Sequence, residues 1–448
     1  MELNSLSAIS PVDGRYREKV SKLSTWFSEF ALIRYRIQVE IEYFIALSKL
    51  LDELPDLDKS SIKSLRFIYQ DFTMEDAEHV KHIEAGINHD VKAIEYFLQE
   101  RFKKLGLGER IDFIHFALTS QDINNTAVPL AIKDFQHEFY LPNLSVLTKS
   151  IIRLAEAWKN QPMLAHTHGQ PATPTAVGKE LRVFTERIQG QLTLLKQIPI
   201  EAKFGGATGN FNAHYAAYPD INWSSFANAF IEQLGLKRQQ NTTQIEHYDQ
   251  LAARMQNMAR INTILIDLCR DCWTYISMDY FRQIPKEAEV GSSTMPHKIN
   301  PIDFENAEGN FGFANAIFNH LAEKLPLSRM QRDLTDSTVS RNIGVPMAHT
   351  IIGFASLQNG LSKLELNVDK LNAELEANWA VVSEGIQTIL RKVGYPTPYE
   401  VLKTLTRGKN GINQETMLEF IETLDVEEGI KQQLRNLTPF NYIGNAKE

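Results

Sequence analysis

The segment from Gln244 to Phe281 does most to limit the fold of this chain. Ile245, Tyr248, Ala252, Met255, Ala259, Ile266, Cys269, Trp273 and Ile276 follow alternating spacings of three and four, with Asn262 as the polar exception. That repeat is a long narrow seam of the bundle or coiled-coil type. A helix of about forty residues is on the order of 55 Å long at ~1.5 Å per residue. Such a helix cannot cover its seam within a compact subunit. The expectation is an elongated bundle shared between subunits.

Further helical patterns cover roughly 24–53, 74–104, 124–160, 174–197, 302–324, 340–364 and 368–394. Thr73 with Asp76 resembles a capping box that opens the second. Thr173-Pro174 reads as an N-cap followed by Pro at the first helical position. Strand signals are scarce, because the alternation from Arg36 to Tyr43 sits in a longer helical pattern. The reading is all-α. Boundaries fall near residue 111, after Leu105-Gly106-Leu107-Gly108, and near 365, giving domains 1–111, 112–364 and 365–448.

The net charge of −8 argues against general nucleic-acid binding, which leaves a basic footprint. The two cysteines, Cys269 and Cys272, lack the further ligands of a zinc site and read as reduced core residues. The opening Met1-Glu2-Leu3-Asn4-Ser5 has no basic or apolar leader pattern, and no run of ~18 apolar residues occurs. A soluble, cytoplasmic protein is expected, with no membrane or nucleic-acid partner.

The chemistry is concentrated in short polar strings. Gly291-Ser292-Ser293-Thr294-Met295-Pro296-His297-Lys298-Ile299-Asn300-Pro301 fits G-S-x-x-M-x-x-K-x-N followed by Pro. A Gly-Ser lid ahead of a helix N-terminus suits an anionic substrate, because free N–H groups and the helix dipole favour negative charge there. His168, in Thr167-His168-Gly169-Gln170-Pro171-Ala172-Thr173-Pro174, can serve as an acid or base near neutrality or can cap a turn. Asn88, His89 and Asp90 together interrupt a helical pattern, which favours a polar site. His79, His82 and His89 lack the i, i+4 spacing of a helical zinc pair. Thr119-Ser120-Gln121-Asp122-Ile123-Asn124-Asn125 places hydroxyls and amides ahead of a helix, where capping is the plain alternative. Arg332 and Arg341 flank Ser337-Thr338-Val339-Ser340, a set suited to forked recognition of phosphate or carboxylate. Arg15-Tyr16 carries the same ambiguity between anion recognition and a solvated surface. Lys203 to Asn210 is Gly-rich without a phosphate-loop ending, and reads as a turn or the wall of a site.

In this order, these strings resemble the fumarase/aspartase superfamily. The Pro11-Val12-Asp13-Gly14-Arg15-Tyr16 opening and Asp336-Ser337-Thr338 resemble its adenylosuccinate-cleaving branch, with Thr243-Gln244-Ile245-Glu246 adding to the match. The resemblance implies a long-helix bundle in a homotetramer, with each active site assembled from three subunits. It implies β-elimination of fumarate from adenylosuccinate to give AMP, and from the ribotide SAICAR to give AICAR. No metal or organic cofactor is implied.

By the same resemblance, Ser292 is the general base and His168 the general acid. Lys298, Asn300, Thr119 and Ser120 hold the developing carboxylate, and His89 assists at the succinyl end or orients His168. Arg15, Tyr16, Arg332, Ser337 and Arg341 take the phosphate and ribose, while Gln244 lies near the leaving group. Asn88, Asp90, Ser293, Ile299, Asn306, Thr338, Val339 and Ser340 complete the binding set. One position departs from the pattern: His166 stands where the family leads one to expect Arg. The nearest alternative is another fumarate-releasing lyase, such as argininosuccinate lyase, where a phosphate site is unnecessary.

Overall fold

A computed structural model describes residues 4–284, 295, 298–406 and 412–448. The chain is predominantly helical, as the periodicity implies, and the three sheets among the described residues have two strands each. It divides into two compact units. The first comprises 4–144, 191–263 and 309–353. The second comprises 145–190, 264–308 and 354–448, less the residues not described.

In the first unit, helix Glu29–Leu47 packs on helix Ser120–Phe135. Phe135 meets Phe27 at 4.9 Å and Trp26 at 5.7 Å between ring centroids, both edge-on. Tyr35 Oη donates to Asp134 Oδ2 at 2.9 Å, which fixes the register of the pair. The expected helix 24–53 starts afresh at Glu29, because the Ser28 hydroxyl accepts from the Ala31 amide as an N-cap.

The expected helix 74–104 is two helices, Met74–Ile87 and Asp90–Lys104. The Thr73/Asp76 capping box opens the first as expected. Asn88 closes it in the left-handed region at φ 55°, a conformation Asn tolerates better than most residues. The His89 ring nitrogen Nδ1 then caps the second helix by accepting from the Lys92 amide at 3.0 Å. The polar interruption in the sequence is thus a break in the backbone.

The long helix is shorter than its sequence pattern. It spans Asp249–Ser277, 29 residues. Tyr248 has φ 63° and Asp279 φ 59°, so left-handed residues stand just outside both ends. Its buried positions in the first unit include Met255, Met258, Ile261 and Asn262; in the second they include Leu265, Leu268, Cys269 and Cys272. Most of the expected seam is buried, from Ile245, Tyr248, Ala252, Met255 and Ala259 through Asn262 to Cys269. Trp273 is 44% exposed and Ile276 only partly buried, since the more central places are taken by the Leu and Cys side chains. Both cysteines are free and buried, and burial pushes their thiols up.

In the second unit, the Thr173-Pro174 reading is overturned. Gln170–Ala176 is a strand, antiparallel to Pro162–Thr167, and the helix begins only at Val177. The register pairs Thr167 with Gln170, leaving His168 and Gly169 as the turn. The C-terminal helices enclose a separate apolar cluster of Trp379, Ile386, Leu390, Met417, Ile421 and Leu434, among others.

Candidate functional site

The main cavity of the first unit, with about 530 Å³ of space, opens where the helix break and other polar segments converge. Asn88, His89 and Asp90 come from the break, Ser120 and Gln121 from a helix N-terminus, and Arg332, Ser337, Thr338, Ser340 and Arg341 from the segment around helix Thr335–Ser340. Segments far apart in sequence, each singled out for its polar character, are brought to one cavity. Thr119, Gln244 and Val339 lie beside lining residues but do not line it, and neither do Arg15 and Tyr16.

A run of hydrogen bonds organises the wall. Arg332 Nη1 donates to Gln244 Oε1 at 3.0 Å, and Arg332 Nη2 to Ser337 Oγ at 3.4 Å. Gln121 Nε2 reaches the same hydroxyl at 3.3 Å. Gln244 Nε2 donates to the Ala207 carbonyl at 3.1 Å, tying the Lys203–Asn210 loop to the arginine. Asn125 Nδ2 donates to Tyr248 Oη at 2.7 Å, and that hydroxyl donates to Asp336 Oδ2 at 3.1 Å.

Cations and carboxylates alternate at the opposite side. Asp90 Oδ2 accepts from Arg36 Nη2 at 2.8 Å and from Arg341 Nη2 at 3.4 Å. Arg341 Nη1 also donates to Glu29 Oε2 at 2.8 Å. Burial raises the Asp90 carboxyl, but the Arg36 charge and the Val91 amide outweigh it and leave the group below its ordinary range. His89 uses Nδ1 as an acceptor, so its neutral form carries the proton on Nε2. Glu246 is buried at the cavity wall. Burial, and next the charge of Glu201, push its carboxyl up to about 8.

Arg36 and Tyr248 line the cavity but lie outside the polar strings, and Glu246 belongs to one only as a member of Thr243-Gln244-Ile245-Glu246. Arg36 sits within an apolar helix, so periodicity files it as a core interruption; a charge at a buried position is the available signal.

The remaining expected residues lie in the second unit or outside the described residues. His168 has φ 54° and Gly169 φ 73°, the two positive values a type I′ hairpin turn requires. His166 stands in the strand before it, 6.1 Å from the Tyr280 ring, whose hydroxyl donates to Glu374 at 2.6 Å. Lys298 and Ile299 are exposed and Asn300 is partly buried. The Ile299 carbonyl accepts from Gln283 Nε2 at 3.2 Å, and Asn306 Oδ1 accepts from the Ser356 hydroxyl at 2.7 Å. Ser292 and Ser293 lie outside the described residues. Among the described residues, no group of three or more His, Cys, Asp or Glu side chains is placed to hold a metal ion, and no helix is long and apolar enough to cross a membrane.

Residues 14–313 match a family model described as lyase, and residues 328–443 one described as adenylosuccinate lyase C-terminal. The fold is shared with solved structures. A fumarate lyase from Mesorhizobium sp. BNC1 aligns over 95% of this chain and 96% of its own with a TM-score of 0.73 at 17% identity. A 3-carboxy-cis,cis-muconate lactonizing enzyme from Pseudomonas putida gives 0.71 at 17% identity, over 95% and 94%. Fold and family models together define a helical lyase.

Full-length relatives narrow the class. The adenylosuccinate lyase of Dictyostelium discoideum is 56% identical, over 99% of this chain and 98% of its own. That of Escherichia coli K12 is 48% identical, over 100% and 98%, and that of Haemophilus influenzae 47%, over 100% and 99%. The chain belongs to the adenylosuccinate lyase family.

Proposed function

We propose that this chain eliminates fumarate from adenylosuccinate to give AMP, and from SAICAR to give AICAR. The observation that carries this is the cavity that unites the Asn88–Asp90 break, Ser120 and the Arg332–Arg341 segment in a chain whose full-length relatives bear that name. An arginine pair with Ser337 beside it suits a phosphate group, which a forked guanidinium binds through two parallel hydrogen bonds. A lyase whose substrate lacks phosphate has no need of it.

The elimination needs a base for the proton beside the succinyl carboxylate and an acid for the departing nitrogen. Ser292 serves as base and His168 as acid. A serine hydroxyl becomes basic only where water is excluded and positive charge or N–H donors stabilise the alkoxide, a task for Lys298. Thr119, Ser120, Lys298 and Asn300 hold the negative charge that builds on the carboxylate, while His89 works at the succinyl end. Gln244 lies near the leaving group, and Arg15 and Tyr16 join the phosphate end. The working form is a cytoplasmic homotetramer in which three subunits contribute to each site; exposed apolar side chains such as Val146, Ile152 and Trp273 support such an assembly.

A spectrophotometric assay of the purified protein tests this reading, with EDTA present and argininosuccinate as control. AMP and fumarate from adenylosuccinate, with no turnover of argininosuccinate, are expected. Turnover of argininosuccinate alone would overturn it, and inhibition by AMP provides an independent check on the phosphate site.

A further inference from the structure

Asp122 and Lys203 form an ion pair with both side chains fully buried, at 2.7 Å between Nζ and Oδ1. Neither belongs to the assigned set, and neither lines the main cavity. Yet the pair holds two segments that adjoin the cavity wall. Asp122 Oδ2 accepts from the Thr119 amide at 2.8 Å, which fixes the N-terminus that presents Ser120. Asp122 Oδ1 also accepts from the Gly205 amide at 2.8 Å and the Gly206 amide at 3.1 Å. Lys203 Nζ donates in addition to the Gly206 carbonyl at 2.5 Å.

The loop held this way admits little variation. A Cβ on Gly205 would stand 2.9 Å from the Gly209 carbonyl oxygen, and Gly209 has φ +81°. The next residue after Gly206, Ala207, accepts from the Gln244 side chain, whose other end accepts from Arg332. Arg332 and Gln121 then share the Ser337 hydroxyl, and Gln121 is the chain neighbour of Asp122. The hydrogen bonds close into a ring that starts and ends at residues 121–122. The buried pair is the ionic link in that ring, and it joins the helix start to the glycine loop.

We infer that Asp122 and Lys203 are positioning residues, a buried clamp that fixes the distance between Ser120 and the hydrogen-bonded Gln244 and Arg332 along the cavity wall. The inference rests on the proposed function, since it makes the clamp responsible for holding two ends of one substrate at a set spacing. A buried charge pair in a preorganised site costs no rearrangement at the moment of reaction, whereas a displacement of about 1 Å at a positioned group costs about 100-fold in rate.

Lys203→Met leaves a buried carboxylate unpaired and threatens folding, so the decisive variant is D122N/K203M, which removes both charges at nearly constant volume. The substituted amide has one acceptor oxygen where the carboxylate has two, so it cannot serve the Thr119 amide and the glycine loop together. The thioether at position 203 cannot donate to the Gly206 carbonyl. The double variant is expected to keep the wild-type oligomeric state and to melt below wild type, because buried backbone groups lose partners, while staying folded at the assay temperature. Its kcat/KM for adenylosuccinate should fall about 100-fold. Adding Gln244→Ala to it should cost less than Gln244→Ala costs in the wild type, because residues acting as one unit are not additive. Wild-type kcat/KM in a well-folded double variant, or full additivity with Gln244→Ala, overturns the clamp. If the wild-type protein does not cleave adenylosuccinate, the functional reading fails by itself; amide exchange at Thr119, Gly205 and Gly206 then decides the clamp. Faster exchange in the double variant supports it, and unchanged exchange overturns it.

Discussion

Asp90 joins two arginines of different origin, holding Arg36 at 2.8 Å and Arg341 at 3.4 Å through a single carboxylate oxygen. The Arg36 side chain is 4% exposed and Asp90 29%. Removing the negative charge leaves a buried guanidinium without its carboxylate, with only Nε still donating to Asn124 Oδ1 at 2.8 Å, an effect on the order of 3 kcal/mol for a buried pair that loses one partner. Asp90→Asn should therefore lower unfolding stability by about that amount, measured by urea denaturation of the otherwise intact protein. A loss below ~0.5 kcal/mol, the range of an ordinary surface change, would show that Arg36 finds another partner.

Arg341 is the less buried of the two, and Glu29 competes for it at 2.8 Å. In the proposed function a substrate phosphate displaces Glu29. Arg341→Ala should raise KM for adenylosuccinate about tenfold or more with a smaller change in kcat, because it removes binding shared by ground and transition states. Glu29→Gln should lower KM, since it weakens the competitor and leaves the guanidinium in place. Steady-state rates across substrate concentration separate the cases. An unchanged KM in Arg341→Ala would remove this residue from the phosphate site.

Much of the helical framework is legible in the chain. The pattern over 302–324 corresponds to helix Ile302–Lys324, because a long amphipathic segment carries its period many times over. The hairpin Pro162–Ala176 is not legible, since its strands are short, carry Pro171 and Pro174, and gain their order from pairing with each other. The polar strings at 88–90, 119–125 and 332–341 stand out as interruptions of apolar patterns. Their convergence does not, for it rests on contacts such as Arg36 with Asp90, 54 positions apart, and Gln121 with Ser337, 216 apart. Arg36 is hidden for the same reason: a charge in an apolar helix shows its purpose only when its partners are in place.

Glu246 makes stability depend on pH in a direction opposite to a paired carboxylate. Its folded pKa of about 8 lies above the ordinary 4.5, so folding takes up a proton there. The stability it contributes is full below pH 4.5 and is lost as pH climbs through 8, at about 1.4 kcal/mol per unit at most. Glu246→Gln keeps the shape and cannot ionise. The variant should be close to wild type near pH 5 and more stable than it at about pH 8.5, by thermal melts in matched buffers. Parallel pH profiles for the two proteins would mean that Glu246 is charged in the folded state.

His168 occupies the first central position of its turn at φ 54°, a backbone conformation that Asn adopts more readily than His. A residue chosen for the turn alone would be Asn or Gly, so His there costs a little stability, which the acid's role assigned to it in the proposed function would offset. His168→Asn should therefore melt at or above the wild-type temperature, because Asn-Gly is the favoured pair for this turn. Under the proposed function it should also lose about 10²–10⁴-fold in kcat, the usual contribution of a general acid. The two readouts must move apart. A variant that loses stability and activity together would make His168 a structural residue of the hairpin, and one that keeps full activity would pass the acid's role to another group.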